Sequence, residues 1–251
     1  MERVVYDRMA ELDELHWWYR ARRKVLKALI ERNIELPANA RILEVGCGTG
    51  HNLKMLERFG TVDGIEIDSE ARAIAEKRLG RPISDSRLPD LPGIERGGYD
   101  LVAALDVVEH IDDDRATVDA LAACLRPGGK LLVTVPAHRW MWSAHDELNH
   151  HKRRYSKRAL SALIDRAPLR LDRIGYFNSL LFPLAVGARL AAKLTGGGGG
   201  DDKLPPRPVN YLFERCFAAR HPRRSRKFCA LPISRSTLGR TALIAVSARL
   251  T

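Results

Sequence analysis

The amino-acid sequence predicts an α/β fold, a doubly wound open sheet with helices on both faces, and three observations lead there. Short apolar runs recur: Ile42 to Val45, Thr61 to Ile65, Tyr99 to Leu105 and Lys130 to Val135. Each is too short for an independent helix and apolar enough for a strand buried on both faces. Segments with helical spacing of apolar residues separate them, and strands alternating with helices build a parallel sheet. A glycine-rich turn, Gly46, Gly48 and Gly50, joins the first strand to a helix-like segment, Asn52 to Phe59. Glycine there lets the backbone turn tightly and lets a ligand approach it with no Cβ in the way.

At 251 residues and 45% hydrophobic content the chain suffices for one such domain carrying an insertion. Cys47, Cys124, Cys216 and Cys229 lie far apart, with no Cys-x-x-Cys pair and no signal-like leader. They read as reduced thiols, so a cytoplasmic location is expected. The net charge of +11 is uneven: residues 201–251 hold eleven Lys/Arg against three Asp/Glu, and the rest is close to neutral.

In chain order, residues 4–31 read as a helix. Within it, His16-Trp-Trp-Tyr-Arg-Ala-Arg-Arg23 places Tyr19 and Arg22 one turn apart on one face, which reads either as a helix packed on the domain edge or as a lid. The glycine turn departs from the dinucleotide fingerprint, which needs glycine or alanine where this chain has His51. Glu44, two residues before Gly46, would repel a phosphate but suits an ammonium group. Glu66 ends the second strand 20 residues after Gly46, the distance at which a carboxylate reaches ribose hydroxyls. Asp68 reads as the N-cap of the helix over 71–79. Pro82 to Ser84 is a short third strand, Tyr99 to Leu105 a fourth and Lys130 to Pro136 a fifth. A helix through Leu121 and Leu125 stops at Arg126-Pro-Gly-Gly129. Ser156 caps a helix over 159–164, and Leu169 to Phe177 alternates as a sixth strand. Leu180 to Leu194 is a strongly apolar helix, followed by the Gly196–Gly200 linker, a short helix near 209–219 and a last strand at 241–248. No apolar run reaches the ~20 residues of a membrane span.

Glu44-Val-Gly-Cys-Gly-Thr-Gly50 resembles motif I of the class I S-adenosylmethionine-dependent methyltransferases, and Tyr99-Asp-Leu-Val … Glu109-His110 resembles their motif IV. The resemblance covers 40–178 well, 1–36 loosely and the insertion hardly at all. It implies a Rossmann-like seven-stranded sheet of order 3-2-1-4-5-7-6 with the last strand antiparallel. It implies one methyltransferase domain: a helical lid at 1–36, a cofactor-binding core at 37–179, a cap at 180–238 and the final strand at 239–250. S-adenosyl-L-methionine would lie across Glu44, Gly46, Cys47, Gly48, Gly50 and Asn52, with its ribose on Glu66. Ile67 would flank the adenine, Asp85 would meet the adenine amino group, and Leu105 and Asp106 would complete the pocket. Tyr19 and Arg22 would close over it, the arginine on the methionyl carboxylate.

Trp140-Met-Trp … His150-His-Lys-Arg-Arg-Tyr155 starts past the fifth strand, on the rim where open α/β sheets bind ligands. It is expected to wall an acceptor pocket, with His110, His145, His150 and Tyr155 as the catalytic candidates. Some ubiquinone-pathway O-methyltransferases resemble this chain with a Glu-x-x-Glu-His metal cluster. Asp106-x-x-Glu109-His110 is the shorter counterpart here, with His145, His150 or His151 as an additional donor, and no metal is expected. The predicted acceptor is a small molecule, free or linked to lipid or glycan. Residues 180–194 and 220–227 are candidates for peripheral contact with the inner membrane face, and a homodimer is left open. Two other readings compete: an NAD-dependent oxidoreductase, disfavoured by His51 and Glu44, and a nucleic-acid-binding protein using the basic C-terminal region, which has too few aromatics for base stacking.

Overall fold

Strand β1 (Arg41–Val45) runs through the interior of a parallel sheet, between β2 (Thr61–Ile65) and β3 (Tyr99–Leu105). Ile42 stands opposite Val62 on one side and Leu101 on the other. The computed structural model describes Tyr6 and residues 10–177, 204–219 and 241–247. Over these residues the sheet adds β4 (Leu125–Pro136), β5 (Arg170–Phe177) and β6 (Thr241–Ser247) in the order β2-β1-β3-β4-β6-β5. Helices α1 (Trp17–Asn33), α2 (Leu53–Leu56), α3 (Ser69–Leu79), α4 (Asp114–Cys124), α5 (Ala144–Leu148), α6 (Lys157–Ile164) and α7 (Arg207–Ala219) complete the chain.

The side-chain alternation of the strands divides the core in two. Leu43, Val45, Val102, Ala104, Leu131 and Val133 join α4 and α6 in one cluster; Ile42, Val62, Leu101, Ala103 and Leu132 join α1 and α3 in the other. Every residue of β3 is buried, as a central parallel strand covered on both faces requires. Truncating Leu101 to alanine should therefore cost about 2–5 kcal/mol.

Four expectations are corrected. The described sheet has six strands, because Pro82 to Ser84 contributes only the isolated bridge between Ser84 and Ile65. Pro82 brings no N–H to a ladder. The final strand pairs parallel with both β4 and β5, where an antiparallel strand was expected. An antiparallel return suits a short turn, but a connection as long as 178–240 can cross the sheet and enter from the same end. The helix over 4–31 is broken: residues 13–15 form a turn, and α1 starts afresh with the His16 ring accepting from Trp18 N. Asp13 is drawn fully inside to Arg78 and Thr49, which bends the chain. Leu125 opens β4 opposite Tyr99 where a helical residue was expected. As expected, Asp68 caps α3 through Glu70 N and Ala71 N, and Ser156 caps α6 through Ala159 N.

Of the segment read as an insertion, only 204–219 is described. There α7 packs on α1: Asn210 accepts from Trp17 N and donates to the Leu15 carbonyl, and Phe213 meets Trp17 edge to face. Buried Glu214 pairs with Arg20 and Lys24. The apolar segment 180–194, the linker and the basic run 220–227 lie outside the described residues.

Candidate cofactor and acceptor site

Strand order reverses between β1 and β3, so a crevice opens at their carboxyl ends, where open α/β sheets bind ligands. The glycine turn fills its floor. Gly46 and Gly50 have φ of +66° and +81°. A Cβ on Gly46 would stand 2.7 Å from Val107, and one on Gly50 2.9 Å from the Ala75 backbone. Both conformation and space demand glycine. The turn is tied to β2 by Cys47 N donating to the Ile65 carbonyl. Glu66 holds it from the side, accepting from Gly48 N at 2.8 Å and Asp68 N at 2.9 Å. Each oxygen of Glu66 takes one amide and keeps further lone-pair sites for hydroxyl donors. Ser84 is laced to the same strand end through Glu66 N and Gly64 O. Exposed Asp85 and exposed Ile67 therefore sit beside Glu66, at the outer end of the crevice.

The inner end is polar and buried. Glu44 is buried, accepts from Asn52 Nδ2 at 2.8 Å, and leaves Oε2 without a partner; Asn52 Oδ1 is likewise buried and unpaired. Burial pushes the Glu44 carboxyl up to about 7, with the Asn52 bond and the Arg22 charge pulling the other way. Arg22 descends from α1, donating to Asp106 Oδ2 at 2.9 Å and Thr134 Oγ1 at 3.0 Å, while its buried Nε finds no acceptor. Thr134 in turn donates to the other Asp106 oxygen. Asp106 itself has φ of +61°, which lets the chain leave β3 sharply with its carboxylate aimed at Arg22. Tyr19 lies one turn away, edge-on to His51 at 5.6 Å, and Leu105 is buried at the end of β3.

Beyond Asp106 the wall changes character. Glu109 is fully buried with neither carboxylate oxygen bonded, and burial, with Asp106 adding to it, raises its pKa well above the usual range. His110 is lowered to about 4 by burial and by His151, whose ring is 4.7 Å away. Lys152 N donates to the Glu109 carbonyl, so the loop after α5 is stitched to this segment. His151 Nδ1 is 2.9 Å from Asp146 Oδ1, and Arg154 grips the same carboxylate with Nε at 2.7 Å and NH2 at 2.8 Å. Trp140 and Trp142 are exposed on the rim, and the His138 ring stacks on Tyr176 at 5.0 Å.

The four sequence-nominated catalytic residues thus part company. His110 lies in this wall, with His145 6.3 Å from His151 across it. His150 is exposed. Tyr155 is buried in the core beneath, its hydroxyl donating to Asp114 at 2.8 Å, and burial followed by that bond raises its pKa. The trio Asp106, Glu109 and His110 does not assemble, because Arg22 and Thr134 hold Asp106. Glu109, His110 and His151 are instead the residues whose polar atoms come within 4.8 Å of one another. Thr134, Asp146 and Arg154 escaped the sequence reading; Thr134 hides in an apolar run, and the others fall among many surface-type charges.

A glycine turn at the switch point, followed by a carboxylate at the next strand end, defines the class of Rossmann-like proteins that hold an adenosyl group. A family model described as a methyltransferase domain matches residues 17–173, from α1 into β5. The chain belongs to that family, the class I S-adenosylmethionine-dependent methyltransferases. A ubiquinone biosynthesis O-methyltransferase of Xanthomonas axonopodis pv. citri (strain 306) is 31% identical over 140 residues, 51% of this chain and 59% of that protein. Its namesake in Xylella fastidiosa (strain M23) is 32% identical over 146 residues, with the same shares. The chain therefore spans less than two thirds of the length of these relatives. A Haloferax volcanii methyltransferase solved with its methyltransferase activator shares the fold, with a TM-score of 0.54 at 18% identity over 65% of this chain and 73% of that one.

Proposed function

We propose that this chain transfers the methyl group of S-adenosylmethionine to a hydroxyl of a small acceptor. One observation carries the cofactor half. The buried inner crevice offers two unpaired acceptors, Glu44 Oε2 and Asn52 Oδ1, and one unpaired donor, Arg22 Nε. That set is the complement of an ammonium group beside a carboxylate, the end of the cofactor that a nucleotide lacks, so the residues present fit it. Glu66 would hold the ribose, with Ile67 and Asp85 at the adenine, and Tyr19 would cover the crevice with His51. The cofactor, when bound, supplies a methyl already activated on a sulfonium, so the protein must align it with the acceptor, exclude water and take up a proton. Arg22, Thr134 and Asp106 orient the inner end, while Glu109, His110 and the exposed tryptophans shape the acceptor side. The O-methyltransferase names of the relatives support a hydroxyl acceptor. The division into lid (1–36), core (37–179), cap (180–238) and final strand (239–250) belongs to the same reading.

Calorimetry with S-adenosylhomocysteine, against NAD as control, tests this. Glu66→Ala leaves ribose hydroxyls unpaired at about 1–3 kcal/mol, so affinity should fall roughly tenfold or more. Unchanged affinity in a folded variant would falsify the placement.

A further inference from the structure

The sequence drew attention to two adjacent histidines, and the fold separates them. His150 faces outward, whereas the His151 ring is turned in, with 9% of its side chain exposed. Its Nδ1 meets Asp146, a carboxylate that cannot move: Arg154 binds both oxygens, Ser143 N donates to Oδ2 at 2.9 Å, and the whole group is buried. Arg154 is itself anchored on the Ala137 carbonyl, past the end of β4. Burial alone would raise the Asp146 pKa, but the bonds from His151 and Arg154 and the arginine charge hold it well below the usual carboxylate range. An ionised carboxylate accepts only, so the 2.9 Å contact requires the proton on Nδ1. In the neutral tautomer this leaves the lone pair on Nε2, and the contact fixes the ring orientation.

The surroundings suit proton uptake. Among the described residues, the groups around the ring are Glu109 and His110 from the segment after β3, His145 and Asp146 from α5, and Arg154, which shares Asp146, from its own loop; the Lys152 ammonium pairs with Asp112. Glu109 and His110 are held neutral by burial, and Arg154 is spent on Asp146. Among the described residues, the carboxylate bonded to the imidazole is Asp146, which would balance a second proton. His110 is the rival base, but a ring kept unprotonated down to about 4 is a weak proton acceptor at neutral pH.

We infer that His151 is the general base that removes the acceptor's hydroxyl proton, set in tautomer and orientation by Asp146 and Arg154. This rests on the hydroxyl-methylating reading above. As the acceptor oxygen forms its bond to the methyl carbon, the carbon–sulfur bond breaks and its electron pair returns to sulfur. The proton released from oxygen goes to His151 Nε2, and the imidazolium pairs with Asp146 until solvent takes the proton.

The test uses the full chain, tritiated S-adenosylmethionine, and catechol and 4-nitrocatechol as hydroxyl probes. His151→Gln should lower kcat by about 100-fold or more, within the usual contribution of a positioned base. KM and the S-adenosylhomocysteine Kd should stay within about twofold. The acid limb of the wild-type pH–rate profile should vanish, and added imidazole should restore turnover to His151→Ala, which a packing role would not permit. Unchanged kcat in His151→Gln, a loss that tracks cofactor affinity, or activity abolished by chelation and restored by Zn²⁺ or Mn²⁺ would each overturn the inference. So would wild-type protein that binds S-adenosylhomocysteine yet labels neither probe. Failure of the wild type to bind S-adenosylhomocysteine would instead remove the parent reading, and this inference with it. Should His151→Gln not fold, nitrogen NMR of wild-type imidazoles decides: a proton on Nε2 with Nδ1 bare in the neutral ring refutes the assignment.

Discussion

Glu44 carries one bonded and one bare carboxylate oxygen in the interior, and its chemistry is legible in its pH response. In the free protein the carboxyl ionises at about 7 because it is buried. An ammonium group bound to it favours the charged form, so binding lowers that pKa. The sign follows: affinity for S-adenosylhomocysteine should be full above about pH 8. It should weaken by about tenfold per unit as pH falls below 7, since one pH unit is worth about 1.36 kcal/mol for one proton. Calorimetry across pH 5.5–8.5 measures this directly. Glu44→Gln keeps the shape, should flatten the profile, and should cost about 1.5–3 kcal/mol at pH 8, the value of a hydrogen bond to a charged group. Affinity independent of pH in the wild type would place the ammonium group elsewhere. Arg22 is a matching case: the sequence nominated it for a cofactor carboxylate, and the partners it has here, Asp106 and Thr134, are 84 and 112 residues away.

At the scale of elements, α1 is the piece that brings Tyr19 and Arg22 to the crevice, and it does not hold itself there. Its first turn has no acidic residue, and α7 supplies what is missing. Asn210 satisfies Trp17 N and the Leu15 carbonyl at once, acting as a cap delivered from another helix. Asn210→Ala should cost about 1 kcal/mol, as lost caps do, and lower Tm by about 2–4 °C in a chain of this size. Limited proteolysis should then cut near residues 10–16 faster than in the wild type. An unchanged Tm and cutting pattern would mean that α7 merely rests on α1. The element most readable in advance was α3, where Asp68 and Gly80 mark both ends within one local stretch. The element read least well was the 4–31 helix, since its break depends on Asp13 meeting Arg78 and Thr49.

For the whole molecule, charge and sheet follow separate plans. The cofactor crevice lies in the nearly neutral part, while the positive excess sits in residues 201–251. Anionic lipid attracts such residues by about 1 kcal/mol each near its surface, less at high salt. The chain should therefore sediment with anionic vesicles at low ionic strength, and be released by high salt. Protein left in the supernatant at low salt would remove the membrane-contact reading without touching the cofactor site. Among the described residues no helix is long and apolar enough to cross a membrane.

The sequence alone determined those features whose physics is local. Apolar runs of strand length, a turn holding Gly46, Gly48 and Gly50, and an acid at the end of β2 are each readable within a few residues of chain. From them came the fold class; the strand order came from the family resemblance. Only the tertiary structure decided the rest, because it depends on partners far apart in the chain. The direction of β6 shows only in its register with β4 and β5. The engagement of Asp106 by an arginine on α1 joins residues 84 positions apart. His151 could not be told from His150 locally, for the two are adjacent residues of one type. What separates them is that the His151 ring meets Asp146, which Arg154 also holds, while His150 is exposed.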